Sequence, residues 1–238
     1  MTGLLRGRIV VCSCVLVVVG CFSLVSPAHS LANFDVRQDA FSISNAPGWC
    51  FAMAAFSRWY YLTQQEGVPL RHCLDKRCQQ RIAKELQGYY SRNLVKIQAD
   101  YCNQSQEHRR ESFRRFITGL ATGEPRIVLL MSRTQKGVVL HAVLAYAWLP
   151  ESETIKVYDP NYCDSERFID MERGEYTSLD ITYDAFCFPE VLHDHPALVK
   201  KMESLYRSCS VHRAGNEDRR SVSTPLVKRI STEKRRAN

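Results

Sequence analysis

No glycine-rich loop able to cradle a phosphate occurs in these 238 residues, although eleven glycines are scattered along them. No internal repeat is present, which excludes a solenoid or propeller. A convincing metal site is also missing: His193-Asp194-His195 has the look of a ligand pair, but no third ligand follows at a suitable spacing, so an exposed turn before Pro196 is the expectation. The central part lacks net charge. Of the +7 total, Arg6 and Arg8 fall in the first thirty residues without an acid, and eight Lys or Arg against three acids lie from Ser210 to Asn238, leaving residues 31–209 neutral. A neutral core speaks against a nucleic-acid-binding domain. Neither a cofactor nor a metal is expected.

The two ends differ from the middle. Arg6 and Arg8 precede an apolar run from Ile9 to Val25, and Ala28-His29-Ser30 places small residues where a signal peptidase reads them, so residues 1–30 read as a leader. Val18-Val19-Gly20-Cys21 resembles a lipobox, which would leave a lipid anchor on Cys21, and an uncleaved leader is close to the shortest helix that spans a bilayer. Each version exports residues 31–209, to the periplasm or the medium, or tethered to a membrane and facing outwards. Residues 210–238, basic and nearly free of aromatics, read as a disordered tail. A single medium domain remains, expected to be a monomer and large enough to bury a core.

Ten cysteines are present, of which Cys12, Cys14 and Cys21 belong to the leader. Cys50, Cys73, Cys78, Cys102, Cys163, Cys187 and Cys209 remain, an odd number. In an oxidising compartment six can pair and one is left as a bridge to another molecule or as a reactive thiol. Cys163 with Cys187, and Cys73 or Cys78 with Cys102, are the pairings expected from local spacing. The separation of Cys73 and Cys78 could also suggest zinc, but export favours disulfides.

Helical patterns come first. From Trp49 to Tyr60 only Cys50, Ser57 and Arg58 interrupt an apolar run, so a helix buried on nearly all sides is expected to about Gln65, with Gly67 and Pro69 stopping it. Ile82, Leu86 and Tyr90 share one helical face, and Phe113, Phe116, Ile117 and Leu120 share another. At Arg126 the pattern changes to strands: Ile127–Met131, Gly137–Trp148 and Thr154–Tyr158, then Phe168–Met171 and Ile181–Phe188, before a closing helix over Ala197–Cys209. Helices first and strands later indicate an α+β domain with segregated parts and an antiparallel sheet.

Three residues carry chemistry in this pattern. Pro47 and Gly48 form a turn that delivers Cys50 to the first turn of its helix, where unpaired N–H groups and the helix dipole favour a thiolate. His141 is the one polar residue in the run Gly137–Tyr146, and a buried imidazole needs partners. Asp159 closes the next strand and could fix the ring from a neighbouring antiparallel position. Taken singly, a buried thiol, a core histidine and an Asp-Pro turn are each commonplace. Their conjunction supplies nucleophile, general base and orienting acid.

In this order the chain resembles papain-like cysteine peptidases, and among them the short bacterial members akin to bacteriocin-leader-processing (double-glycine) peptidases. The likeness rests on Gly48-Trp49-Cys50-Phe51-Ala52-Met53, His141-Ala142-Val143-Leu144-Ala145-Tyr146 and Val157-Tyr158-Asp159-Pro160-Asn161. It spans roughly Ser42 to Asp170 and leaves residues 71–106 unmatched. The resemblance implies a helical lobe led by the cysteine helix and an antiparallel sheet carrying histidine and aspartate. It also implies hydrolysis of peptide or protein amide bonds through a Cys50–His141–Asp159 triad. Such enzymes place a glutamine shortly before the cysteine as oxyanion donor; here Ser44 and Asn45 stand there, and Asn45 carries the equivalent amide. Two alternatives share the scaffold: a catalytically silent binding or host-interaction protein, and a transamidase using the same triad.

Overall fold

The computed structural model describes residues 34–45, 48–63, 68–135 and 137–222, with side chains described through Cys209. The chain divides into residues 1–30 and 31–238. All described residues belong to the second part. The leader, its Cys21 and residues 223–238 lie outside them.

A short helix, α1 (Val36–Asp39), opens the domain, capped by Asp35, whose carboxylate accepts the Arg37 N–H. The long apolar run becomes α2 (Cys50–Thr63), and every residue from Phe51 to Tyr60 is buried. Then come α3 (Leu70–Cys73), α4 (Lys76–Asn93), α5 (Val95–Cys102) and α6 (Gln106–Ala121). Capping residues set two of these starts. Asp75 accepts the Cys78 N–H before α4, and Ser105 accepts the His108 N–H before α6. The Ile82, Leu86 and Tyr90 face of α4 is buried.

The strands follow, with β5 added to those expected from the sequence. They are β1 (Arg126–Thr134), β2 (Gly137–Leu149), β3 (Thr154–Tyr158), β4 (Glu166–Asp170), β5 (Tyr176–Ser178), β6 (Ile181–Tyr183) and β7 (Ala185–Cys187). Five form one antiparallel sheet in the order β4-β3-β2-β1-β7, while β5 and β6 pair separately. The segment expected as one strand over Ile181–Phe188 is therefore two, broken at Asp184 and shared between two sheets. The chain ends in α7 (Glu190–His193) and α8 (Pro196–Val222). Helix α8 runs past Cys209, so residues 210–222 of the segment read as a disordered tail are helical.

Both faces of the five-stranded sheet are covered. Ile127, Leu129, Ala142 and Leu144 pack with α2, α4 and α8, whereas Val128, Leu130, Val143, Ala145 and Val157 pack with Phe116 and Leu120 of α6 and with Tyr176 and Tyr183. A strand buried on both faces has no polar side to show, which is why residues 142–147 read as a continuous apolar run and not as an alternation. A bulge between Ala145 and Ala147 shifts the register against β3, and so Tyr146 and Ala147 join the same core. The observed class is α+β, with helices and an antiparallel sheet.

Two arginines tie the parts together. Arg58, buried within α2, donates to the carbonyls of Pro125 and His193 at 2.8 and 3.1 Å and pairs with Glu124 and Asp194. Arg71 of α3 donates to the carbonyls of Ala40, Val36, Phe41 and Cys163 and pairs with Asp164 at 2.5 Å. Among the described residues, no helix is long and apolar enough to cross a membrane.

Cys102 of α5 is disulfide-bonded to Cys187 of β7. This replaces the expected pairings of Cys163 with Cys187 and of Cys73 or Cys78 with Cys102. Cys163 follows β3 while Cys187 lies on β7, three strands across the sheet, and strands spaced about 4.8 Å apart put them well beyond the roughly 7 Å that a disulfide tolerates. Cys50, Cys73, Cys78, Cys163 and Cys209 are free. Parity therefore does not single out Cys50, because five described thiols are unbridged.

Replacing Arg58 with Met leaves the buried Pro125 and His193 carbonyls without a donor. Urea denaturation is expected to show a loss of about 1–3 kcal/mol. Glu124→Gln, at a partly exposed carboxylate, is expected to lose less than about 1 kcal/mol. Equal losses would mean that the ion pair, not the carbonyls, is what Arg58 serves.

Candidate active site

The turn before α2 requires its glycine. Gly48 donates its N–H to the Asn45 carbonyl at 2.9 Å and adopts φ +77°, a conformation that side-chain-bearing residues rarely take. Cys50 then becomes the first residue of α2, and the helix closes its first turn with a hydrogen bond from Met53 N–H to the Trp49 carbonyl at 3.0 Å. The thiol is partly exposed, unlike the ten residues that follow it. A side chain from another helix caps this start: the Oε1 of Gln87, from α4, accepts the Ala52 N–H at 3.1 Å. One turn further along α4, Tyr90 stacks on Phe51 with ring centroids 3.8 Å apart. Burial raises the Tyr90 hydroxyl pKa, and the nearby Cys50 raises it further.

Strand β2 carries His141, paired with Leu130 of β1 and almost wholly buried. Its Nε2 lies 2.7 Å from Oδ1 of Asp159, the residue that follows β3 and is completely buried. The Cys50 side chain lies close enough to the imidazole to raise its pKa alongside Asp159. With Nε2 turned to Asp159, Nδ1 is the nitrogen left for the sulfur. The three residues singled out from sequence thus form one contiguous chain across a helix start and two strand positions.

The carboxylate is saturated with donors. Asp159 Oδ1 also accepts the Asn161 N–H at 2.8 Å, while Oδ2 accepts the Tyr176 and Ser178 hydroxyls at 2.7 and 2.6 Å. Asn161 in turn donates to Ser178 Oγ at 2.8 Å. Tyr183 lays its ring against the imidazole with centroids 5.8 Å apart, and its own hydroxyl is pushed up to about 12, first by burial and then by Cys50 and Asp159. Tyr176, Ser178, Tyr183 and Gln87 were not singled out from sequence. The hydroxyl-bearing strand β5 is three residues long, too short for a periodic signal, and Gln87 belongs to a helix unmatched by any motif. Asn161 stood inside the Val157–Asn161 block but had no role assigned.

Asn45 reaches the site through Asn161. Its Nδ2 donates to Asn161 Oδ1 at 2.8 Å, and its own Oδ1 is buried without a partner among the described residues. Ser44 is exposed. The amide expected to serve an oxyanion is thus engaged in the network around Asp159.

Charge follows from this packing. Burial works to lower the His141 pKa, but its bonds to Asp159 and Cys50 outweigh it and raise the ring to about 9. Burial alone would raise Asp159; the imidazole, Ser178 and the Asn161 N–H bring it below its ordinary value. The buried carboxylate therefore faces a protonated ring at neutral pH.

The other candidates go elsewhere. His193, expected in an exposed turn, is buried at the end of α7, and its Nε2 accepts the Ile127 N–H at 3.1 Å. Burial, then Arg58 and Arg126, hold it well below an ordinary histidine, so it stays neutral. Among the described residues no group of three or more His, Cys, Asp or Glu is arranged to hold a metal ion. Cys73 pairs with the Tyr60 hydroxyl at 2.6 Å, and Cys163 contacts the Asp164 carboxylate. Comparison with protein-family models, curated proteins and solved structures finds no match.

Because the folded His141 keeps its proton up to about pH 9, against about 6.5 for an ordinary histidine, its charge stabilises the fold fully below pH ~6.5. That contribution is lost as pH rises through about 9. Thermal melts from pH 6 to 10 are expected to show wild type above a His141→Gln variant at low pH, with the gap closing towards pH 9 and beyond. A gap that widens as pH rises would overturn the assignment.

Proposed function

We propose that this protein is an exported cysteine peptidase of papain-like layout, cleaving amide bonds through a thioester acyl-enzyme. The observation that carries this reading is the His141–Asp159 hydrogen bond with the Cys50 side chain close enough to act on the same ring. The partly exposed thiol is the group that can meet a substrate, and the buried pair behind it is set to hold a proton. The Cys102–Cys187 disulfide supports an oxidising compartment outside the cytoplasm, either free or held by a lipid on Cys21.

In the proposed reaction the Cys50 sulfur, having passed its proton to His141, attacks the substrate carbonyl carbon and a tetrahedral oxyanion forms. His141 gives that proton to the departing amine as the C–N bond breaks, leaving a thioester. Water then attacks the thioester with His141 as base, releasing the acid and restoring the thiol. Asp159 keeps the ring oriented and offsets its charge throughout. The oxyanion is served by the Cys50 N–H and by the Gln87 amide, which caps the same helix turn from α4. Asn45 gives one amide N–H to Asn161 and keeps a second, so it remains the other candidate donor.

One observation favours a second reading. Asn45 already gives one amide N–H to Asn161, which fits a scaffold kept for binding, with a reactive thiol but no turnover. Iodoacetamide at mildly acidic pH separates the two together with hydrolysis. Under the peptidase reading Cys50 labels fast and alone, casein is cleaved, and Cys50→Ala or His141→Ala abolishes cleavage. Labelling without cleavage of casein or a peptide library supports the silent scaffold, and absence of labelling sinks both.

Gln87→Glu keeps an acceptor for the Ala52 N–H but removes the amide donor. Hydrolysis is expected to fall about 100- to 1000-fold while the melting temperature and Cys50 labelling stay near wild type. Unchanged hydrolysis would leave Gln87 as a helix cap only.

A further inference from the structure

Helices α4 and α8 lie side by side and run in opposite directions. Glu85 of α4 pairs with Lys201 of α8 at 3.3 Å, and Arg81, one turn earlier, reaches Ser208 Oγ at 2.6 Å and Cys209 Sγ at 3.1 Å. Cys78 lies one turn before Arg81 on the same side of α4. The Cys209 side chain is close enough to the Cys78 thiol to raise its pKa. Cys209 is almost wholly buried, while Cys78 is partly exposed. Two neighbouring thiols, one beside an arginine a turn away on the same helix and each on a packed helix, can reach bonding distance by side-chain rotation and a modest shift. None of the other free cysteines is so placed: Cys50 faces His141, Cys73 the Tyr60 hydroxyl, and Cys163 the Asp164 carboxylate.

We propose that Cys78 and Cys209 form a second disulfide, a covalent bridge between α4 and α8. The two thiols give up two protons and two electrons as one S–S bond forms. A small-molecule or protein disulfide accepts them and is reduced to two thiols. The bridge braces the helix that brings Gln87 and Tyr90 to the start of α2, so its place in the fold is behind one wall of the candidate site. It does not depend on the peptidase reading. In the folded chain the Cys78 thiol is pushed up to about 12, chiefly by burial and then by Cys209, so few thiolates are present to attack an oxidant. Bridging is therefore a folding-stage event and slow once the helices have packed.

The full chain, reduced and unfolded in guanidinium, is refolded into a mixture of reduced and oxidised glutathione. It is then capped with N-ethylmaleimide and digested with trypsin without reduction. Mass spectrometry is expected to find the peptide Cys78–Arg81 joined to the peptide Ser208–Arg213. Recovery of both cysteines as maleimide adducts, or a bridge from either to Cys73 or Cys163, overturns the proposal. Melting temperature supplies a second readout. Oxidised Cys78→Ser, which changes one atom at a partly exposed site, is expected to melt roughly 5–15 °C below oxidised wild type, and the two should coincide after reduction. Equal melting of the oxidised forms also overturns it. Cys209→Ser should repeat the Cys78→Ser result, and if that buried change prevents folding, the Cys78→Ser comparison stands alone.

Discussion

A buried carboxylate organises this site. Asp159 is fully removed from water, and an ion in that position persists only if its lone pairs are met and its charge is answered. The Tyr176 and Ser178 hydroxyls, the Asn161 N–H and the His141 ring meet those requirements from three separate stretches of chain. Each partner is held in turn: His141 by the sheet, Asn161 by Ser178 and Asn45, and the hydroxyls by the short β5–β6 pair. Moving any of them leaves a buried charge exposed to a low-dielectric surrounding, which is why the arrangement is tight around a residue that itself touches no solvent.

From that centre outward the fold sets a dry interior against a partly exposed thiol at the head of α2. Helix α2 is buried from Phe51 to Tyr60, including Arg58, whose guanidinium is satisfied by carbonyls and carboxylates of the α6–β1 corner and α7. Its first residue, Cys50, reaches towards solvent beside the imidazole. Gly48 sets the angle at which the chain enters the helix, and Gln87 closes one of the open N–H groups at its start. The imidazolium thus lies between a buried anion and an accessible sulfur.

Much of this was legible in the residues. The helical run after Cys50, the apolar faces of α4 and α6, the three strands from Arg126 to Tyr158 and the antiparallel turn between β2 and β3 follow from period and punctuation, which are local signals. The gathering of Cys50, His141 and Asp159 was legible because two of them lie on neighbouring strands and the third starts a helix. Other features were not. Tyr176 and Ser178 sit on a strand too short to announce itself, and Gln87 looks like any polar residue on a half-exposed helix. His193 looked exposed beside Asp194 and Pro196, yet it fills a pocket beneath β1 because the Ile127 N–H needs an acceptor there.

The cysteines mark the boundary most clearly. By sequence alone, the period and punctuation of apolar residues indicated where most helices and strands lie, because these depend on composition and nearest neighbours. Which sulfur meets which was decided only by the tertiary structure. Strand order places Cys163 and Cys187 at opposite parts of the sheet, the packing of α5 on β7 joins Cys102 to Cys187, and the packing of α4 on α8 brings Cys78 near Cys209. Spacing along a chain carries no information about distance once the chain has turned back on itself, and a bond between two side chains depends on distance alone.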